Sequence, residues 1–306
     1  MPFLFANADP ALAPPSGAGM PYWVQWRWWM ADHYEIPTAL VCCYIALVWQ
    51  VQEKMKLRPA FNLSRFTVAW NWGLSLFSAV GFAHVVTAFV ASGAEHGFAG
   101  PDSVLCRRDV QFDNQWVALF CLSKIPELVD TALLVLQKKP VIFLHWYHHA
   151  VTLMYCWIAW IRVAPNGALF ALMNLFVHTI MYAYYAITGM IPRNDSARVE
   201  AAAGGKTEGK AAAAPSKGKG SFINKVKAAA AVTITPLQIL QMIIGSYAIF
   251  HNLGFCPDSD GPAFAMFGGA MYLSYLVLFL VMFSGKINTF FGSPAARPAK
   301  DAAKLQ

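Results

Sequence analysis

Charged side chains are scarce in this chain. They make up 13% of its 306 residues, whereas a soluble domain carries roughly 25%, so an ordinary water-facing surface is excluded. No long polar stretch is left to build a second folded domain. The N-terminal "MPFLFANADPALAPPSGAG" lacks the basic start and apolar core of a secretory signal, so the first helix is expected to act as its own signal. Internal repeats of the kind transporters carry are absent as well. Cysteine is limited to 6 positions.

What fills the chain instead is apolar. Hydrophobic residues reach 57% and the mean hydropathy is +0.43. A membrane-spanning helix needs about 20 predominantly apolar residues, and seven stretches approach that, near 37–52, 66–91, 116–137, 141–162, 167–190, 233–252 and 263–285. The fold class expected is an all-α integral membrane protein, with seven transmembrane helices over residues 37–290 enclosing a buried site. Residues 1–36 form a non-cytosolic N-terminus, in which Trp23, Trp26, Trp28 and Trp29 suit an interfacial aromatic belt. The Ala-, Gly- and Lys-rich segment 193–232 has almost nothing to bury and reads as a disordered cytosolic loop. Residues 291–306 form a cytosolic tail.

Cations set the orientation. Lys54, Lys56, Arg58, Arg65, Lys138, Lys139, the Lys and Arg of 193–227 and those of the tail all fall on one side of this layout, which the positive-inside rule makes cytosolic. The +7 net charge is thereby explained by topology, and nucleic acid is not needed as a partner. Cys42, Cys43, Cys121 and Cys156 lie within spans as small apolar packers. Cys106 and Cys256 fall in two loops on the non-cytosolic side, where a disulfide is chemically allowed.

Polar residues inside the spans are costly and usually mark a pathway or a site. Lys124, Glu127, Asp130 and Thr131 share one face of the third span, with Glu127 in reach of Lys124. The fourth holds His145, His148 and His149. The fifth aligns Asn174, His178, Tyr182 and Tyr185, and the sixth pairs Gln238 with Gln241. At about 1.5 Å per residue, His148 lies about 14 Å along the helix from Lys139 and Asp130 about 12 Å from Lys138. His178 is roughly 18 Å from Met190 and Gln238 about 8 Å inside its span. Helices running in alternating directions thus bring their polar groups to similar depths, as one buried site opening toward the cytosol requires. A lone intramembrane His reads instead as a satisfied interhelical hydrogen bond, which is the reading for His84 and His251.

These residues resemble the motifs of the membrane fatty-acid elongases (ELO family), over about 35–285. Lys124, Glu127, Asp130 and Thr131 match KxxExxDT, and His145, His148 and His149 match HxxHH. Asn174, His178, Met181 and Tyr182 match NxxxHxxMY, and Thr235, Gln238 and Gln241 match TxxQxxQ. The resemblance implies a 3-oxoacyl-CoA synthase, the condensing enzyme that joins acyl-CoA to malonyl-CoA with loss of CO2. No cofactor is implied. The catalytic set is then His148, His145, His149 and His178, with Lys124, Glu127, Asp130, Thr131, Asn174, Tyr182, Gln238 and Gln241 binding substrate and Cys106 bonded to Cys256. The resemblance also implies the endoplasmic reticulum membrane, although the tail "KDAAKLQ" lacks the dilysine ending of many relatives. Membrane lipid and other enzymes of the elongation cycle are the implied partners, and a homodimer is compatible with the pattern. "FLHWYHHA" looks more like elongases of saturated and monounsaturated chains.

The chemistry agrees with that reading. Condensation needs an acyl acceptor, and a neutral buried imidazole can attack a thioester to give a reactive acyl-imidazole. The resemblance favours His148 for this, facing His178. Cys121, one turn from Lys124, is the residual alternative. Lys138, Lys139 and Lys56 are placed for the CoA phosphates, although topology explains them equally well. A second reading takes His145 and His149, four apart, as metal ligands of a di-iron desaturase or hydroxylase. With 8 His and a single box, ligands for two irons fall short. A third, a seven-helix receptor or transporter, leaves the clustered histidines without a role. Under the first reading the acyl tail runs away from the cytosol, and Ala159, Ala168 and Tyr247 are the candidates for the floor that limits its length.

Overall fold

The computed structural model describes residues 21–97, 100–106, 108–112, 114–190, 217–256 and 261–291. They are helical, with no strand among the described residues. In order come α1 (Tyr22–Asp32), α2 (Glu35–Lys56), α3 (Ser64–His96), the short α4 (Asp102–Leu105) and α5 (Asp109–Phe112), and α6 (Gln115–Ser123). A 3₁₀ turn (Pro126–Leu128) leads into α7 (Val129–Leu136), followed by α8 (Phe143–Ile161), α9 (Gly167–Gly189), α10 (Lys217–Phe255) and α11 (Pro262–Phe291).

Among the described residues, five helices are long and apolar enough to cross a membrane: α2, α3, α9, the Thr233–Phe255 part of α10 and the Pro262–Ser284 part of α11. The chain is thus a multi-pass membrane protein. Large apolar side chains such as Leu47, Leu76, Met266 and Val281 point outward, where lipid would meet them.

The other two apolar stretches depart from the simple expectation. The stretch 116–137 is not one helix. Pro126 cannot donate to a helical ladder and its ring crowds the preceding turn, so α6 stops at Ser123 and the chain passes through the 3₁₀ turn before α7 begins. The shared face of Lys124 and Glu127 is therefore made by a turn rather than by a continuous helix. The stretch 141–162 is continuous as α8, but its histidines make it less apolar than the five, and it lies inside the bundle with Leu153, Trp157 and Trp160 at 2% exposure or less.

A further difference concerns the segment 193–232. α10 starts at Lys217 and takes in its last part, in keeping with the helix propensity of the Ala228–Ala231 run. Residues 191–216, the N-terminal 1–20 and the tail 292–306 lie outside the described residues.

α1 is more than an interfacial belt. It buries Val24, Arg27 and Met30, and the Trp157 indole donates to the Met30 carbonyl at 3.0 Å. The Arg27 guanidinium sits 4.3 Å from the centroid of the Trp160 ring. α1 therefore closes the end of the bundle where α8 finishes.

Two packed pairs, α3 with α9 and α10 with α11, form the largest interfaces. In the second, Gly245 lies so closely against the Tyr272 ring that an added Cβ would overlap it, which makes glycine the residue that fits there. α8 stands between the pairs and belongs to both cores. Tyr155 and Ile158 pack with α10 and α11, while Cys156, Trp157 and Trp160 pack with α1, α3 and α6.

At the same end of the molecule Cys106, just after α4, is bonded to Cys256, just after α10. The 150-residue separation closes a long loop, and such a bridge contributes about 2–4 kcal/mol by restricting the unfolded chain. Cys256→Ser should therefore lower the melting temperature in detergent by several degrees, and Cys106→Ser in the same background should add little more. Additive losses from the two changes would contradict this account.

Candidate active site

The polar residues of four elements meet in the middle of the bundle. The break at Pro126 turns Lys124 and Glu127 inward. Lys124 Nζ donates to Glu127 Oε1 at 2.7 Å and to Asn174 Oδ1 of α9 at 3.0 Å. It also stands 4.2 Å over the Phe120 ring. Glu127 Oε1 accepts from Ser123 Oγ at 3.0 Å and lies 3.9 Å from His178 Nδ1. Both charged side chains are almost fully buried. Four groups whose separate burial would cost several kcal/mol each thus satisfy one another. Glu127 Oε2 is left without a hydrogen-bond partner among the described residues.

A second network fixes the near end of the histidine box. Thr131 Oγ1 is hydrogen-bonded to His145 Nε2 at 2.9 Å and to the Tyr44 hydroxyl of α2 at 2.7 Å. One ring nitrogen of His145 is thereby occupied. Asp130 accepts from Trp70 Nε1 of α3 and from the Tyr182 hydroxyl, both at 2.6 Å. Gln238 Nε2 reaches Met181 Sδ at 3.6 Å.

The box itself spans about one turn of α8. The His145 and His149 rings are 4.5 Å apart and those of His148 and His149 5.7 Å apart. The three do not converge on a point. Among the described residues, the group of His, Cys and carboxylate donors close enough together to hold a metal is Cys106, His251 and Cys256, whose two sulfurs are bonded to each other.

Two cavities run through this region. The larger, about 1080 Å³, is lined by His145, His148, His149, His178, Asp130, Tyr182 and Gln238 and extends to Ser64, Lys139 and Met190 at one end of the bundle. The smaller, about 40 Å³, runs the other way along α8, past Cys121, Thr152 and Cys156 to Ala159, Gly167 and Phe170. His148, Asn174, Gln241 and Met242 line both. His148 therefore stands where a wide chamber narrows to an apolar slot.

Most of the residues singled out by sequence are brought together here. Lys124, Glu127 and Thr131 stand behind the cavity wall and hold the side chains that line it. Among the floor candidates, Ala159 lines the narrow slot. Ala168 is buried in the adjoining core, and Tyr247 is 54% exposed on the outside of α10, so it does not contribute to the slot. Of the cations, Lys139 lines the wide chamber. Lys56 pairs with Glu53, and Lys138 Nζ donates to the Lys56 carbonyl. His84 stacks on Trp116 at 5.1 Å and His251 pairs with Asp102 at 3.2 Å, both away from the site. Sequence reasoning missed Tyr44, Trp70, Thr152 and Tyr275. Each sits in an apolar helix, where a single hydroxyl or indole gives no pattern to read.

Comparison with known proteins agrees with the motifs. The family model described as ELO: GNS1/SUR4 family matches residues 29–201. The chain is 36% identical over 291 residues to fatty acid elongase 3 of Trypanosoma brucei brucei (strain 927/4 GUTat10.1), covering 83% of this chain and 84% of the relative. It is 39% identical over 259 residues to very long chain fatty acid elongase 4 of Trypanosoma cruzi (strain CL Brener), covering 80% and 78%. It is 29% identical over 269 residues to long chain fatty acid elongase 2 of Caenorhabditis elegans, covering 83% and 84%.

The buried ion pair makes a sharp prediction. Lys124→Met alone leaves Glu127 without its cation and should cost about 3–5 kcal/mol of stability. Adding Glu127→Leu should restore most of the lost melting temperature, because an apolar pair of similar size replaces the ions at little net cost. Equal melting of the single and double variants would mean that the pair is not coupled.

Proposed function

The chain belongs to the ELO family, and from that membership we propose that it is an enzyme of fatty-acid elongation, specifically the 3-oxoacyl-CoA synthase that performs the condensation. The observation that carries this reading is the position of His148 at the junction of a wide polar chamber and a narrow apolar slot. CoA occupies the chamber, where Lys139 offers a cation to its phosphates, and the acyl tail enters the slot, which at about 40 Å³ opens further along α8 to take a long chain. No cofactor takes part in this scheme.

A ring nitrogen of His148 attacks the thioester carbonyl. The C–S bond breaks and CoA leaves with a proton, giving an acyl-imidazole. Malonyl-CoA then enters the vacated chamber and loses CO2. Its enolate carbon attacks the acyl carbonyl, the C–N bond breaks and the departing ring nitrogen takes up a proton from solvent, which restores the neutral imidazole and releases a 3-oxoacyl-CoA two carbons longer. Asn174 and His178 flank this position, and Lys124 polarises Asn174 through its amide oxygen. They are the groups that stabilise negative charge on the reacting carbonyl. His145, bonded through Nε2 to Thr131, orients the box.

In this reading α6, the 3₁₀ turn and α7 together cross the membrane, as does α8, giving seven spans. In the same reading the cationic loops face the cytosol, so the wide chamber and the C-terminus are cytosolic, and the membrane is that of the endoplasmic reticulum. Product length is then set by the far end of the slot near Ala159, and the acceptors are saturated and monounsaturated acyl-CoAs.

The test is incubation of purified protein with acyl-CoA alone, followed by mass spectrometry of its peptides. Wild-type protein should carry an acyl group on His148. His148→Ala should carry none and should lose condensation with labelled malonyl-CoA by at least about 10³-fold while melting within a few degrees of wild type. An acyl group on Cys121, with His148→Ala still active, would overturn the assignment.

A further inference from the structure

α11 carries none of the four motifs and packs chiefly on α10, yet one of its side chains is fastened to the histidine box. Tyr275 is 2% exposed. Its hydroxyl donates to the His148 carbonyl at 3.3 Å and is hydrogen-bonded to Thr152 Oγ1, one turn further along α8, at 3.0 Å. A phenolic hydroxyl has one proton to give and lone pairs to receive, so both bonds are made at once. Its ring centroid lies 4.9 Å from that of His148, the planes inclined by 41°, and 5.7 Å from that of Tyr147, nearly perpendicular. Next to it, the Tyr147 hydroxyl is bonded to Ser274 Oγ at 2.9 Å.

We propose that Tyr275 is the positioning residue for His148 through its ring, which walls off one side of the imidazole, while its hydroxyl serves only to fasten that ring to α8. This rests on the reading of His148 as the acyl acceptor. At 4.9 Å the two rings are in aromatic contact, and no thioester fits between them. The carbonyl must approach from the side away from Tyr275. Tyr275 lines the narrow slot and not the wide chamber, whereas His148 lines both. The ring therefore marks the step from chamber to slot, and a chain entering the slot passes the imidazole on its open side. Tyr147, Thr152 and Ser274 hold the wall in place from both helices, so the imidazole has little freedom to turn away from an incoming carbonyl. A reacting group displaced by about 1 Å can lose about 10²-fold in rate, which sets the size of the effect.

The test compares full-length wild type, Tyr275→Phe and Tyr275→Leu. Each is incubated with acyl-CoA alone, and the single-turnover rate and location of acylation are followed by quenching and mass spectrometry. The steady-state KM for acyl-CoA and the melting temperature are measured alongside. Phe keeps the wall, so its acylation rate should stay within about 3-fold of wild type. Leu removes it, so acylation of His148 should fall by about 30- to 100-fold with KM within about twofold, and the residual adduct should spread to His145 or His149. Three results overturn the proposal while leaving His148 as acceptor: acylation of His148 by the Leu variant at the wild-type rate, a loss in the Phe variant as large as in Leu, or a Leu variant that melts lower but acylates His148 normally per folded molecule. Wild-type protein with no adduct on His148 overturns this inference together with the function it rests on.

Discussion

A lysine and a glutamate buried in an apolar bundle have to satisfy each other, and the rest of the site follows from how they do. Lys124 and Glu127 sit at 3% exposure each. Unpaired, either would cost several kcal/mol. The Pro126 break brings them within 2.7 Å, and the amide oxygen of Asn174 takes up a further Lys124 proton. The ion pair thereby ties the break between α6 and α7 to α9, and through Glu127 it fixes the surroundings of His178. A continuous helix through 116–137 would have served the membrane equally well. The interruption makes sense as the way to aim a buried charge at a cavity wall.

The second constraint is that α8 has to serve two masters. One of its faces completes the core made with α10 and α11, another the core made with α1, α3 and α6. Its histidines occupy the strip between, facing the cavity. Such a helix has almost no lipid-facing surface, which explains why it tolerates three imidazoles near the middle of the bundle and why it is less apolar than the spans around it. Neighbouring helices also supply the groups that hold the box: Tyr44 and Thr131 at His145, and at His148 Tyr275 of α11, which is hydrogen-bonded in turn to Thr152 of α8 itself.

Much of this was legible in the sequence because membrane burial simplifies the code. Nearly every residue in a span is apolar, so Lys124, Glu127, His148 and His178 stand out, and comparing their depths places them together without a structure. The bounds of α9 follow from the same contrast to within one residue, whereas α2 and α3 run two to five residues beyond their apolar stretches at each end. Legibility fails where a residue is amphipathic. Tyr44, Trp70 and Tyr275 look like packing side chains in a row of others, and their hydrogen bonds depend on which helix faces which. Tyr247 was misjudged for the same reason, since its height in the bundle is right but its azimuth is wrong. The break at Pro126 was also missed, because a spanning stretch with one proline can continue as a helix, as α10 does through Pro236. The role of α1 escaped too, since a run of tryptophans reads as an interfacial belt whether or not its other face is buried.

The account makes His148 the point where a substrate changes character, from the polar CoA of the wide chamber to the hydrocarbon tail of the narrow slot. The most direct measurement is the location of the far end of a bound chain. Purified protein is incubated with an acyl-CoA that bears a diazirine on its terminal carbon, irradiated, and digested to map the crosslink. The account predicts labelling at the end of the slot, around Ala159, Gly167 and Phe170. Labelling instead at the opposite end of the bundle, around Lys139, Thr188 and Met190, would put the tail where CoA is placed and contradict it.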